Sequence, residues 1–500
     1  MRDWIDSELN KVSMYRLLSV SLSVLVAFSV LLSLFDQVPY APGEIIVSAA
    51  ALVLAAYACN VSLGWLFNVR THDESSYITA LILFFILSPT LDLVGLATLA
   101  LVAAFAMSSK FILAPHGRHI FNPAAIAAVV ASGIGLAPAV WWIATPVLLP
   151  LVTFFAFLIL YKTRRLQLGA LFLGIAASII VALSVLDGQS LYAASIALLS
   201  WPLIFFAGFM LSEPLTLPPR RWQQYAVGTV AAVLFAVPLQ LGAISGSPAL
   251  ALVIANIVAF TFTYRRHIRL TFIDRKVLTP SIYEYTFKTE IPIAFTAGQY
   301  IEITLPHKHK DGRGIRRIFT LIGSDDALTV RFGIRINEHP SSFKRALQEL
   351  RHGDCIDATG IGGDFVMPHS TETPLLFVAG GVGITPFISH LTQLRKDKQS
   401  RDITLIYAVN TIDDIAYADE LKRAAIHVII ICKTREPLPV PSWNHVNESH
   451  IDSNDITKHV PDVAARSIYI SGPPAMVAAS KSMLKHSGAK HVHTDYFTGY

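Results

Sequence analysis

Residues 374–391 read P-L-L-F-V-A-G-G-V-G-I-T-P-F-I-S-H-L. The apolar run from Leu375 to Ala379 predicts a short buried strand, and Gly380, Gly381 and Gly383 predict a turn that needs bare backbone. Pro386, next to Thr385, suits the first position of a helix running to about Leu394. Strand, glycine turn and helix start, in that order, make an anion site. The glycines let the main chain approach a diphosphate, and the free N–H groups and dipole of the helix start favour its charge.

Working outward, the same alternation continues to the end of the chain. T-L-I-Y-A-V-N (404–410), a helix over 413–425, V-I-I-I-C-K (428–433) and S-I-Y-I-S-G-P-P-A-M (467–476) with a last helix predict parallel strands with crossovers, the ligand lying at their carboxyl ends. Upstream, from residue 268 to about 367, the period changes to two. R-L-T-F-I-D (269–274), I-Y-E-Y-T-F-K (282–288) and Q-Y-I-E-I-T-L-P (299–306), punctuated by Pro and Gly, predict a small antiparallel β-barrel. Within it, Arg317-Ile318-Phe319-Thr320 combines three useful groups: a guanidinium for a diphosphate, an aromatic two residues on that shares its strand face and can stack on a planar ring, and a hydroxyl within reach of a ring nitrogen. F-T-A-G-Q-Y (295–300) precedes this group, and P-S-S-F-K-R-A-L (340–347) follows with a helix cap at Ser341 or Ser342 for the same phosphates.

The first 264 residues are of another kind, almost continuously apolar. Segments of roughly the length needed to cross a bilayer fall at about 17–35, 44–67, 77–91, 93–113, 120–138, 139–160, 167–186, 191–211, 225–241 and 249–264. With the N-terminus inside, Lys11, Arg16, Arg70, Lys110, Arg118, Lys162, Arg164, Arg165, Arg220, Arg221, Arg265 and Arg266 fall on one side. The opposite loops at 35–43, 187–190 and 242–248 hold no Lys or Arg. This asymmetry predicts both termini in the cytoplasm of a cell whose inner membrane the chain crosses many times. The domains expected are therefore 1–266 in lipid, 267–369 as a barrel and 370–500 as an α/β domain. The net charge of +5 lies largely in the loops, where it orients the chain and gives no reason to expect nucleic acid. No cleavable leader is expected, since the first apolar run lacks a small-residue cleavage site.

F-F-I-L-S-P-T-L (84–91) is echoed by F-M-L-S-E-P-L-T-L (209–217), in spans predicted to run in opposite directions, as an inverted repeat would produce. Asn122-Pro123 and Glu213-Pro214 either cap and break helices or line a flavin, quinone or ion site. Cys59, Cys355 and Cys432 are too scattered for a zinc site, an iron–sulfur cluster or a disulfide framework, so no metal is expected. His72, His116 and His119 lie in loops or at span ends, which disfavours a transmembrane haem pair.

On G-R-H-I-F-N-P-A-A (117–125), L-S-E-P-L-T (211–216) and D-G-Q-S (187–190), the apolar half resembles the NqrB/RnfD family, the B subunit of the sodium-pumping NADH:quinone reductase and the D subunit of the Rnf electron transport complex. That family continues D-G-x-S with G-A-T, whose threonine carries phosphoester-linked FMN. Here Leu191, Tyr192 and Ala193 follow, with no hydroxyl at the acceptor position, so the resemblance implies a redox role with FMN or riboflavin held noncovalently, if at all, and with other redox subunits as partners. On its motifs in order, the remainder from about residue 269 is similar to the ferredoxin-NADP reductase superfamily. The resemblance implies FAD held by Arg317, Phe319, Thr320, Ser341 and Ser342, and NAD(P)H held by Gly380, Gly381, Gly383, Thr385, Pro386, Gly472, Pro473 and Met476. The family's C-G-P reads Ser471-Gly472-Pro473, placing a hydroxyl near the hydride path. Thr320, Ser471 and Asp495 are the expected groups at the reacting centre, and Tyr500, or Phe497 or Tyr496 in its stead, the aromatic over the flavin. Arg435, in T-R-E, matches an arginine that meets the 2'-phosphate of NADP, whereas Asn410 stands where some NADP users carry another arginine; NADPH is favoured and NADH stays open. The expected activity is an FAD-dependent NAD(P)H oxidoreductase that passes electrons to a quinone or flavin at the membrane. The alternative is a redox-gated or redox-driven ion or solute transporter.

Overall fold

The computed structural model describes residues 9, 12–67, 73–115, 119–238, 240–241, 244–262, 268–308, 311, 314–434, 436–448, 456 and 458–496. They divide into two compact units, Val12–Arg266 and His267–Tyr500.

The first unit is helical: α1 Met14–Ser33, α2 Pro42–Leu66, α3 Asp73–Ile86, α4 Leu93–Ile112, α5 Pro123–Gly133, α6 Leu149–Lys162, α7 Leu166–Leu186, α8 Leu191–Ser200, α9 Leu203–Phe205, α10 Arg221–Ala236 and α11 Pro248–Thr261. Every apolar segment of the sequence contains helix, and among the described residues fewer than ten of these helices reach spanning length. Among the described residues, four helices, α1, α2, α4 and α7, are long and apolar enough to cross a membrane, and α8 with α9 and its continuation to Leu211 makes a fifth only as a pair bent by 48°. Local chemistry shortens the rest. Trp201, preceding Pro202, is forced into an extended conformation (φ −97°, ψ 144°), which ends α8. Asn122 caps α5 by accepting from the Ala125 N–H at 3.1 Å.

The two echoed segments are among the most enclosed parts of this unit. Residues 78–87 of α3 and its end are buried without exception, as are residues 205–211, which leave α-helical geometry for a π-helical turn at Phe206–Leu211. A side chain in place of Gly208 would strike Ala156 of α6, so this turn packs backbone to backbone. The end of α3 is buried, and its orphan carbonyls are met from residues 140–142. Val140 and Trp141 N–H donate to Ile86 O at 2.8 and 3.0 Å, and Trp142 Nε1 donates to Phe84 O at 2.7 Å.

In the second unit, β3 Ile268–Val277, β4 Ile282–Thr289, β5 Tyr300–Thr304, β6 Arg316–Thr320, β7 Ile322–Gly323, β8 Thr329–Arg335 and β9 Cys355–Gly362 form a curled antiparallel sheet in the order β6-β5-β9-β3-β4-β8-β7. (β1 Gln240–Leu241 and β2 Ile244–Ser245 are a small hairpin of the first unit.) Its interior is filled by alternate residues, among them the stacked rings of Phe287, Phe332 and Phe319, and α12 Ser342–Gln348 adds Phe343 and Leu347.

A second sheet follows, six parallel strands in the order β13-β12-β11-β10-β14-β15: β10 Leu375–Gly380, β11 Ile403–Ala408, β12 His427–Ile431, β13 Asn444–Val446, β14 Ser467–Gly472 and β15 His491–Tyr496. All six residues of β10 are buried, as a strand covered on both faces requires. Helices α13 Thr385–Lys396, α14 Ala418–Ala424 and α15 Pro474–His486 complete the layer. The helix expected over 413–425 is shorter than the sequence suggests, because Tyr417 takes a left-handed conformation (φ 60°) that breaks it before α14. β15 was not expected at all; its sequence H-V-H-T-D-Y is too polar to announce an edge strand.

Candidate functional site

Strand order reverses once in the parallel sheet, between β10, from which the chain steps to β11, and β14 on its other side. A crevice for a ligand opens at the carboxyl ends of strands at such a switch. The ends in question are Gly380-Gly381 and Ser471-Gly472-Pro473, the two turns singled out by sequence, and the structure brings them into contact. A Cβ on Gly383 would run into the backbone of Ser471 and lie 2.6 Å from Gly472 Cα, and one on Gly380 would strike Met476. Gly381 takes φ +53°, and Tyr407 OH donates to its carbonyl at 3.2 Å. Burial pushes that phenol well above its ordinary pKa, so it remains a donor throughout the physiological range. Thr385 Oγ1 donates to Val382 O at 3.1 Å, and Pro386 opens α13 where its missing N–H costs nothing.

Ser471 is fully buried, and among the described residues its hydroxyl has no hydrogen-bond partner. An orphan hydroxyl at a ligand crevice is a polar group prepared for something outside the chain. Asp495 is its registered neighbour across β14 and β15, so these two predicted residues come together.

The predicted flavin group is brought together only in part. Arg317 is buried; its Nη1 donates to Gly314 O (3.2 Å) and Arg316 O (2.6 Å), and its guanidinium lies 5.0 Å over the Phe343 ring. Ser341 caps α12, accepting from Lys344 N–H at 3.4 Å. Between Arg317 and α12 sits the carboxylate of Asp311. It accepts from Ser342 N–H at 3.2 Å through Oδ2 and places Oδ1 3.8 Å from Arg317 Nη2. A carboxylate there stands in for one edge of a phosphate, and shows that the guanidinium and the serine amide can hold an anion together. Phe319 shares a strand face with Arg317 as expected; its ring stacks on Phe332 at 4.7 Å and meets Phe343 at 6.0 Å. The outward neighbour is Ile318, 43% exposed. Thr320 ends β6, buried and paired with Tyr300. Arg435, Phe497 and Tyr500 lie outside the described residues.

The sequence reading passed over several residues. Gly333, mid-strand in β8, has Thr385 Cγ2 and Tyr417 OH 2.7 Å from where a Cβ would be; a glycine interrupting T-V-R-F-G-I-R was a legible sign of close approach. Arg335, two residues on, is the nearest neighbour of the open side of Gly381. Ser389 joins the sheets, accepting from Gly298 N–H at 3.2 Å and donating to Leu321 O at 2.6 Å. Asn410 and Cys432 follow adjacent parallel strands, the thiol donating to the Asn410 carbonyl at 3.4 Å. A cavity of about 260 Å³ elsewhere in this unit, lined by Arg331, Thr392, Arg395 and Glu420 among others, is bordered by none of the glycine turns, and its arginines are paired with acids.

Residues 377–482 match the family of oxidoreductase NAD-binding domains. The flavohemoprotein of Bacillus subtilis (strain 168) is 28% identical over 211 residues, covering 41% of this chain and 51% of that one. The ferredoxin–NAD(P)+ reductase component of the naphthalene 1,2-dioxygenase system of Pseudomonas putida is 26% identical over 212 residues, covering 41% and 61%. Among solved structures, ferredoxin-NADP+ reductase from Plasmodium falciparum aligns at 18% identity and TM-score 0.38, covering 46% of this chain and 97% of that one. The chain spans about half the length of the first relatives it matches. The C-terminal half of the chain is a ferredoxin-NADP reductase-like module with an NAD-binding domain, the architecture of an FAD-dependent NAD(P)H oxidoreductase.

Proposed function

We propose that the chain is a membrane flavoprotein that oxidises NAD(P)H on the cytoplasmic side of the inner membrane and delivers electrons to an acceptor of the apolar half, a quinone or a noncovalently held flavin. The observation that carries this reading is the pair of glycine turns meeting at the switch point of the parallel sheet, with the unpartnered Ser471 hydroxyl between them. FAD, when bound, would accept a hydride from NAD(P)H and release the electrons. The chain's own work is orientation. Gly380, Gly381 and Gly383 leave room for a diphosphate, Tyr407 fixes the turn, and Ser471 offers its hydroxyl where β14 ends. Arg317 and the Ser342 amide supply an anion seat for the flavin nucleotide, and Thr320 a buried hydroxyl at the end of its strand. Ring packing we assign to Phe319, which shares its strand face with Arg317, and to the aromatics Phe497 and Tyr500. The NQR/Rnf-like ancestry of the apolar half, the position of the termini and a role for Arg435 in NADPH choice belong to this proposal on sequence grounds.

The test is direct. Full-length protein extracted in mild detergent is expected to show a flavin absorption spectrum that bleaches on adding NADH or NADPH without air. A folded preparation that binds FAD yet keeps its colour with both coenzymes would end the reading. A second reading, redox-driven transport, is favoured by one observation: the span from α8 through α9 to Leu211 is bent by 48° and enclosed at residues 205–211, the form that transport sites take in membrane proteins. Proteoliposomes that develop voltage on NAD(P)H oxidation would support it.

A further inference from the structure

The segment leading into α5 meets Glu213, just beyond the enclosed turn that ends at Leu211. His119 Nε2 lies 3.4 Å from Glu213 Oε1, and Asn122 Nδ2 donates to Oε2 at 2.9 Å. Asn122 is itself fixed from two sides, its N–H donating to Asn256 Oδ1 of α11 at 2.8 Å and its own Oδ1 capping α5. Thr216 Oγ1 stands 3.5 Å from the carboxylate, and Arg165, from the turn between α6 and α7, donates to the carbonyl of Ser212. Lys110 of α4 is close enough to act on the carboxylate electrostatically, while its ammonium bonds Ser75 O, Ser75 Oγ and Thr79 Oγ1 at 3.0–3.1 Å. The two partners are only slightly accessible, His119 13% and Glu213 21%.

A brace needs no charge here. A glutamine would accept from Asn122 and Thr216 as well as a glutamate does, without the cost of placing an anion in an apolar unit. An ionisable residue kept in such a place marks a path for ions or protons. One carboxylate oxygen is held by Asn122, and the other faces the His119 imidazole, a side chain that can both take up and release a proton.

We infer that Glu213 and His119 form the proton-uptake site that serves a quinone-class acceptor in the apolar half, an inference that rests on the proposed electron route. The reaction requires such a site. NAD(P)H + H⁺ + quinone gives NAD(P)⁺ + quinol: the hydride supplies two electrons and one proton, one further proton comes from the medium, and each quinone carbonyl becomes a hydroxyl. Glu213 accepts the proton from the cytoplasmic side through His119 and gives it up toward the reduced acceptor. Both are proton carriers, not groups shown to touch the quinone.

The test uses the full chain in lipid nanodiscs with NAD(P)H as reductant, comparing a short-chain soluble quinone with ferricyanide, which takes electrons without protons. Glu213→Gln is expected to lower the ratio of quinone to ferricyanide reduction about 100-fold, the usual size of a lost proton-transfer group. His119→Gln is expected to lower the same ratio and leave ferricyanide reduction unchanged, because the imidazole that passes the proton to Glu213 is gone. The infrared difference spectrum of reduced minus oxidised wild type should gain a protonated-carboxyl band that Glu213→Gln lacks. Wild-type ratio and pH profile in Glu213→Gln, or persistence of that band, would overturn the inference alone. A wild type that reduces ferricyanide but no quinone would overturn the acceptor as well.

Discussion

Ser471 and Arg317 make opposite demands on substitution. A buried hydroxyl with no partner among the described residues costs its desolvation with no bond in return, so Ser471→Ala should keep or raise the stability of the fold, by about 1 kcal/mol at most. The same change should slow NAD(P)H-driven bleaching, measured by stopped flow. A drop in stability with an unchanged rate would mean that the hydroxyl serves the fold. Arg317→Ala removes a buried cation from the anion seat and is expected to weaken FAD binding by about 2 kcal/mol, roughly thirtyfold in Kd, by fluorescence titration. Unaltered affinity would detach Arg317 from the flavin. How far these residues were legible depends on what a sequence pattern encodes. Glycines that must be glycine announce themselves, so the Gly380 turn was readable. Alternation shows that Arg317 and Phe319 share a face but not which face is the inner one, and the pairing of Ile301 with Phe319 decides that in favour of the core.

Helix α13 shows what an element owes to its surroundings. Nine of its residues, from Thr385 to Leu394, are buried, His390 among them, its ring among those of Phe365, Phe377, Phe387 and Tyr469. Burial lowers the His390 pKa to about 3 from an ordinary 6.5. The folded state therefore binds fewer protons than the unfolded one between these values. Its contribution is intact above pH 6.5 and is lost as pH falls toward 3, by up to about 1.4 kcal/mol per pH unit. Melting curves from pH 7 to 5 should show this slope in wild type and a shallower one in His390→Leu; equal slopes would place the acid sensitivity elsewhere. α13 was legible because Pro386 marks its start and an apolar stripe its length. The helical half was less so: its composition is apolar nearly throughout, and the shortening of α5 and α8 depends on single caps and prolines within runs that read as continuous.

At the scale of the whole chain, the flavin count is the most informative quantity. The Ser190 hydroxyl is engaged as the cap of α8, accepting from Ala193 N–H at 3.2 Å. All flavin is expected to be released by acid precipitation, with one FAD per chain. Flavin that stays with the pellet would show a covalent attachment that these residues do not explain.

Ser389 has one more implication. Because its buried hydroxyl is shared between the Gly298 amide of the barrel and the Leu321 carbonyl at the end of β6, the barrel and α13 are stitched at a point where a hinge would otherwise be placed. Hydride donor and recipient are then held at constant separation through each cycle, and solvent friction has little large-scale motion to oppose. Bleaching rates measured in rising concentrations of sucrose should stay flat; a rate that falls in proportion to viscosity would reveal a swing that this stitch ought to forbid.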